Sequence, residues 1–169
     1  MAESTARISQ IDPETAPEEV KAVIRAHLAE GYHLTNEKRT LLHNITAFKA
    51  IEENSYELDR VLQKLIGKQA GDFFEYAVSL ENDCIVCTTY FHELLKRNGI
   101  DYEHFSFSEK EKLLIEYGRQ LAKNPKEISD ELFARMKANF TEEEIVVITA
   151  MGTLMIANNI INDALRIEV

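Results

Sequence analysis

Apolar positions recur along this chain at three- and four-residue intervals, the spacing that lines one face of an α-helix. Alternating β-branched runs, the mark of half-buried strands, are scarce. Ile11-Asp12-Pro13-Glu14-Thr15-Ala16-Pro17 opens a predicted helix that runs to about Glu30, where Gly31 stops it. Thr35-Asn36-Glu37 precedes a second apolar face at Leu41, Leu42, Ile45 and Phe48. Tyr56, Leu58, Val61, Leu62, Leu65 and Ile66 continue helically to Gly67, and Phe73, Phe74, Ala77, Val78 and Leu80 mark a further helix over Ala70–Leu80. Glu81-Asn82-Asp83 then reads as a short turn with Asp83 as N-cap of a helix ending near Asn98-Gly99.

Capping boxes predict two later helix starts, Ser108-Glu109-Lys110-Glu111 and Thr141-Glu142-Glu143-Glu144. Between them, Ser129-Asp130-Glu131 caps a short helix through Leu132, Phe133 and Met136. The last helix, Ile145 to about Leu165, is apolar for much of its circumference, so it is expected to cross the middle of the domain or to pack in a subunit interface. The expectation is one all-α domain spanning residues 1–169, built from about eight helices.

Composition narrows the function classes. A hydrophobic content of 45% supports a real core, while the formal charge of −10 and the lack of a basic stripe argue against nucleic-acid binding. No long uncharged apolar run is read, so no transmembrane helix and no membrane partner are expected. The first residues show neither a basic n-region nor an apolar stretch, and a cytoplasmic location is expected.

The chemistry concentrates at Cys84 and Cys87, the two cysteines of the chain, which form one CxxC. In a reducing compartment such a pair is more often catalytic or metal-binding than a structural staple. With Asp83 as N-cap, Cys84 opens the helix and Cys87 follows three residues on, on the same face. A disulfide then needs only a small adjustment of the first turn, and the helix N-terminus favours a thiolate. Cys87 is expected to lean back over the first turn and be buried, with Cys84 nearer solvent. Phe91 shares the face of Cys87, whereas His92 is largely turned aside. Asp72 and Glu75 are the acidic candidates on the preceding helix, and the periodicity does not choose between them. Zinc would need two more ligands, for which His92 and His104 are the candidates and no second cysteine pair exists, so no metal or cofactor is expected. Asn158, Asn159 and Asn162 in an apolar helix call for hydrogen-bond partners across helices or subunits.

Several segments resemble the carboxymuconolactone decarboxylase/alkylhydroperoxidase D (AhpD-like) superfamily, in order and nearly end to end. They are Ile11 to Pro17, Leu42-His43-Asn44, Asn82-Asp83-Cys84-Ile85-Val86-Cys87, Leu94 to Ile100, Ser129 to Phe133, Phe140 to Glu144 and Asn158 to Leu165. The resemblance implies an all-α fold assembled as a homotrimer or homohexamer, with the CxxC helix near a subunit contact. It also implies a thiol-dependent peroxidase acting in antioxidant defence. Cys87 matches the peroxidatic cysteine, which attacks a peroxide and becomes a sulfenic acid. Cys84 matches the resolving, partner-facing one, and the two close to a disulfide. A dithiol reductant, on a lipoyl carrier or a thioredoxin-like protein, would reset the pair. Where the family pattern has a glutamate twelve residues before the first cysteine, this chain has Asp72. Where it has a histidine four after the second, this chain has Phe91, with His92 as neighbour. The site expected from the resemblance is thus Cys84, Cys87, Asp72 and His92, with a truncated proton relay and slower peroxide chemistry. A decarboxylase-type lyase on a small carboxylated lactone is the alternative activity, although the cationic and histidine groups it needs cannot be assembled from this sequence. A non-catalytic oligomer that keeps the fold is the alternative without chemistry.

Overall fold

The computed structural model describes residues 4–169, and among these every regular element is helical. Helix α1 (Glu18–Ala29) leads to two short helices, α2 (Asn36–Leu41) and α3 (Ile45–Phe48). A π-helical turn (Lys49–Glu53) runs directly into α4 (Asn54–Ile66). Then follow α5 (Lys68–Glu81), α6 (Ile85–Arg97), α7 (Glu109–Lys123), α8 (Asp130–Asn139) and α9 (Glu142–Leu165). Both capping boxes form: Ser108 and Thr141 accept from the backbone N–H of Glu111 and Glu144, whose carboxylates bond back to the cap residues.

The expected face from Leu41 to Phe48 is broken into two pieces rather than carried by one helix. The backbone turns at Leu42–Asn44, and the Asn44 side chain caps α3 by accepting the Ala47 N–H at 2.9 Å. The π-helical turn that follows turns Glu52 inward, where it is buried.

The central element is α5, not the last helix. Its residues Gly71–Ser79 are buried without interruption, and it packs most extensively on α7, with α4, α6 and α9 around it. Phe74 shows how closely. A Cβ at Gly118 of α7 would lie 2.9 Å from its ring, and one at Gly152 of α9 would lie 2.9 Å from it on another side. Two helix backbones therefore approach one fully buried phenylalanine, whose burial stabilises the fold by about 2–3 kcal/mol.

Helix α9 buries one side, including Ile145, Ile148, Met151, Gly152 and Met155, against this core. Its other side remains apolar and open: Val146 is 66% exposed and Ile160 60% exposed. The last helix is thus half of what its sequence suggested, a core wall with an uncovered back. With 24 residues and a mean hydropathy of 1.7 over its most apolar window, α9 is also long and apolar enough to cross a membrane, contrary to the reading from sequence. Its charged residues are Glu142–Glu144 at the start and Asp163 near the end, which leaves 145–162 uncharged. A smaller apolar cluster (Ala16, Val20, Ile24, Leu41, Leu42, Phe48) ties the N-terminal helices to the bundle beside Ile161.

Candidate functional site

The turn between α5 and α6 lies one residue later than expected, and this places both cysteines. Asp83 is not the N-cap of α6. It takes the left-handed conformation (φ 55°) that closes α5, a conformation aspartate tolerates better than most residues. Its backbone N–H bonds Leu80 O at 3.2 Å, and the N–H of Cys84 reaches Ser79 O at 3.3 Å. Cys84 is therefore the cap itself. Its sulfur accepts the backbone N–H of Cys87 at 3.4 Å, standing where a serine or aspartate oxygen usually stands. Both cysteines are free thiols.

This geometry reverses the expected exposure. Cys84 is 0% exposed and Cys87 is 7% exposed. As cap, Cys84 tucks its sulfur under the first turn, while Cys87 opens onto a cavity. Two of the three asparagines expected to bond across helices do so, while the buried Asn158 Oδ1 has no partner among the described residues. Asn159 Nδ2 donates to Asn82 Oδ1 at 3.0 Å, fastening the turn to α9, and Asn162 Nδ2 donates to the Cys87 sulfur at 3.2 Å.

The cavity measures about 170 Å³. Cys87, Tyr90 and Phe91 of α6 form one wall, and Met151 and Met155 of α9 another. The rest is polar: Glu37 and Lys38 of α2, Glu52 of the π-helical turn, Tyr56 and Asp59 of α4, and Glu75 of α5. Four carboxyls thus face one amine. Glu52 accepts the Tyr56 hydroxyl at 2.6 Å and stands 3.9 Å from the Lys38 amine. Asp59 accepts from Gln63 at 2.7 Å. The buried Oε1 atoms of Glu37 and Glu75 have no hydrogen-bond partner among the described residues.

These surroundings set the protonation states. The Cys87 thiol, donating to the Cys84 sulfur, pulls Cys84 down to about 7 against the opposing effect of burial; the Cys87 N–H and Asn162 assist. Cys87 moves the other way, held protonated by the Cys84 sulfur, by burial and by the charge of Glu37. Burial, with the charge of Glu52 beside it, lifts Glu37 to about 8. Burial raises Glu75 well above the usual carboxylate range, with Asp59 and Asp72 adding to it.

Not every residue expected from sequence reaches this site. Asp72 is buried on α5 but is held by Lys68, with Nζ 3.0 Å from Oδ2, and it does not line the cavity. The carboxyl one turn further along α5, Glu75, does. His92 is 61% exposed in its side chain and lies 3.6 Å from Glu93, directed to solvent as its angle from Cys87 indicated. His104 pairs with Asp101 on the surface. Phe91 is buried against Tyr76 and Tyr90 and lines the cavity beside Cys87. Sequence reasoning did not single out Glu37, Lys38, Glu52 and Tyr56. The signal for two of them was local: Glu52 and Tyr56 are four apart in a segment flanked by apolar residues. A larger groove of about 670 Å³ beside α7 has Lys112, Glu116, Arg119 and Lys123 along it and neither cysteine.

No protein-family model matches the chain, and no curated protein does. Two solved structures do. One is an uncharacterized peroxidase-related protein from Silicibacter sp. TM1040, with TM-score 0.76, 12% identity, and coverage of 98% of this chain and 92% of that one. The other, from Ralstonia eutropha JMP134, is described as an alkylhydroperoxidase AhpD core and an uncharacterized peroxidase-related protein. Its TM-score is 0.73 at 16% identity, over 99% of this chain and 93% of that one. The likeness spans the whole bundle, from the N-terminal helices through α9, and the chain has the fold of the alkylhydroperoxidase AhpD core.

Proposed function

We propose that the chain is a thiol-dependent peroxidase that uses Cys84 and Cys87 as a dithiol/disulfide couple. One observation carries the reading: the two cysteines meet at a helix N-terminus beside a cavity, one sulfur bonded by a backbone N–H and the other by Asn162. The paired thiols share a proton, and Cys84 holds the charge first. When a peroxide enters, Cys84 takes the proton of Cys87 and so supplies the base that Phe91 cannot. The Cys87 thiolate, held by the Asn162 amide, attacks the terminal oxygen. The O–O bond breaks, Cys87 becomes a sulfenic acid and an alkoxide or hydroxide leaves. Cys84 then attacks the sulfenic sulfur, and water leaves as the disulfide forms.

A dithiol reductant, on a lipoyl carrier or a thioredoxin-like protein, restores the pair. The sulfur within its reach is Cys87, contrary to the partner-facing role expected of Cys84. Attack on Cys87 expels Cys84, the more acidic thiol and hence the faster leaving group. Each turnover converts one peroxide and one dithiol into an alcohol, water and a disulfide.

The experiment is stoichiometric peroxide added to the reduced protein, with the thiols counted afterwards, followed by turnover with a dithiol. Loss of two thiols per chain is expected, and Cys84→Ser and Cys87→Ser should each abolish turnover. Peroxide consumption that survives both substitutions refutes the reading. We further propose a homo-oligomer, trimer or hexamer, closed over the outer side of α9. Val146, Ala150, Thr153, Ala157 and Ile160 lie there at alternating four- and three-residue spacing, the pattern of a helix–helix seam. Sedimentation of the wild type against Ile160→Lys tests it, with dissociation expected.

A further inference from the structure

Attack on a peroxide leaves an alkoxide or hydroxide that must be protonated, and Phe91 has no proton to give. We propose that Glu37 is the acid that protonates the leaving oxygen, delivered from α2 across the cavity rather than from the cysteine helix. This inference rests on the peroxidase reading above.

Three observations single out Glu37. It lines the same cavity as Cys87, so a peroxide lying between them contacts both. Its Oε1 is buried with no hydrogen-bond partner among the described residues, an unmet demand in a residue that lines the cavity. Asn162 stands by both groups: its amide donates to the Cys87 sulfur at 3.2 Å, and the same side chain acts on the Glu37 carboxyl.

The other carboxyls are otherwise engaged. Glu52 accepts from Tyr56 and faces Lys38, and Asp59 is bonded by Gln63. Glu75 also has an unpartnered Oε1, but it sits among Asp59, Asp72 and Lys68 and acts on neither cysteine. Glu37, by contrast, is coupled to both cysteines: the charge of Cys84 acts on it, and its own charge acts on Cys87. With burial lifting it to about 8, Glu37 is protonated at neutral pH while Cys84 at about 7 is partly ionised. Acid and thiolate therefore coexist in a narrow window.

The step balances. The Cys87 thiolate forms an S–O bond as the O–O bond breaks, and the departing oxygen takes the electron pair and then the Glu37 proton. Cys87 is oxidised to the sulfenic acid, the peroxide is reduced to the alcohol or water, and Glu37 is left as carboxylate. The proton that Cys84 had taken from Cys87 is released when the disulfide closes. Solvent reprotonates Glu37 before the next turnover.

The test follows thiol loss from the fully reduced protein under excess hydrogen peroxide across pH, with iodoacetamide alkylation as the companion rate. Wild type should show a bell, rising near the Cys84 value and falling as Glu37 ionises. Glu37→Gln should slow oxidation by about 10²-fold and remove the alkaline fall, while alkylation at neutral pH stays within about twofold. Glu37→Asp, which keeps a carboxyl, should retain the alkaline fall, and it carries the test should the glutamine variant not fold. Wild-type oxidation rates with an unchanged alkaline limb in Glu37→Gln overturn the assignment. An equal slowing of oxidation and alkylation also overturns it, because Glu37 would then only shape the thiols. A wild-type protein whose thiols survive peroxide removes the peroxidase reading and this one with it, whereas the first two outcomes leave that reading standing.

Discussion

The acidity of the cysteine pair gives the most direct measurement. Cys84 titrates at about 7 because the Cys87 thiol and then the Cys87 N–H bond its sulfur. Relative to an ordinary thiol at 9.0, that is about 3 kcal/mol in favour of the thiolate. At pH 7 about half of the chains should carry one thiolate, against about one in a hundred for an unperturbed thiol. The second thiol should not ionise in the accessible range, since Cys84 holds it protonated and burial adds to this. Thiolate ultraviolet absorbance, which needs no reagent to enter the buried pair, should therefore rise by one equivalent with a midpoint near 7. Cys87→Ala removes the principal donor, and the midpoint of Cys84 should return to 9 or above, because burial then acts with less opposition. Cys84→Ala should leave Cys87 above the ordinary thiol value. A wild-type midpoint at or above 9 refutes the reasoning, as does a Cys87→Ala variant that still titrates near 7.

Gly152→Ala should destabilise the fold by about 1–2 kcal/mol in chemical denaturation, because its methyl group would sit 2.6 Å from Leu121 Cδ2 and 2.9 Å from Phe74, outweighing the helix preference for alanine. Glu75 is raised by burial, so its neutral form stabilises the fold fully below the unfolded carboxylate value near 4.5, and that contribution is lost as pH climbs through the folded value. Glu75→Gln should therefore flatten the decline in urea midpoint as pH rises above about 5, and an unchanged decline would show that Glu75 is not its source. His92→Ala should leave peroxide turnover intact, since its side chain points to solvent; a large loss of rate would return His92 to the site.

Much of the bundle was legible because its signals are local. Gly31, Gly67 and Gly99 all take positive φ at helix ends, and Ser108, Ser129 and Thr141 cap the helices their sequences announce. The errors arose where one local signal competed with another. Asp83 is a better N-cap than cysteine by preference, yet the short turn needed a left-handed residue to end α5, and aspartate filled that place first. The centrality of α5 over α9 was not legible from hydropathy, because Asp72 and Glu75 lie on the most buried helix while Val146 and Ile160 lie exposed on the most apolar one. The site divides in the same way. The cysteines, and Phe91 on their face, follow from spacing within one helix. The cavity does not, since α2, the π-helical turn, α4 and α9 bring their side chains to Cys87 from distant parts of the chain.

A sulfur that caps a helix belongs to the scaffold as well as to the chemistry. When Cys84 enters a disulfide it ceases to be a thiolate acceptor for the Cys87 N–H, and a lost cap typically costs a helix about 1 kcal/mol. On the proposed redox cycle, oxidation should loosen the first turn of α6, where Ile85 stands exposed at the surface. Amide exchange at Val86 and Cys87, expected to be slow in the dithiol and faster in a disulfide, would read the state of the pair from the backbone without touching either sulfur.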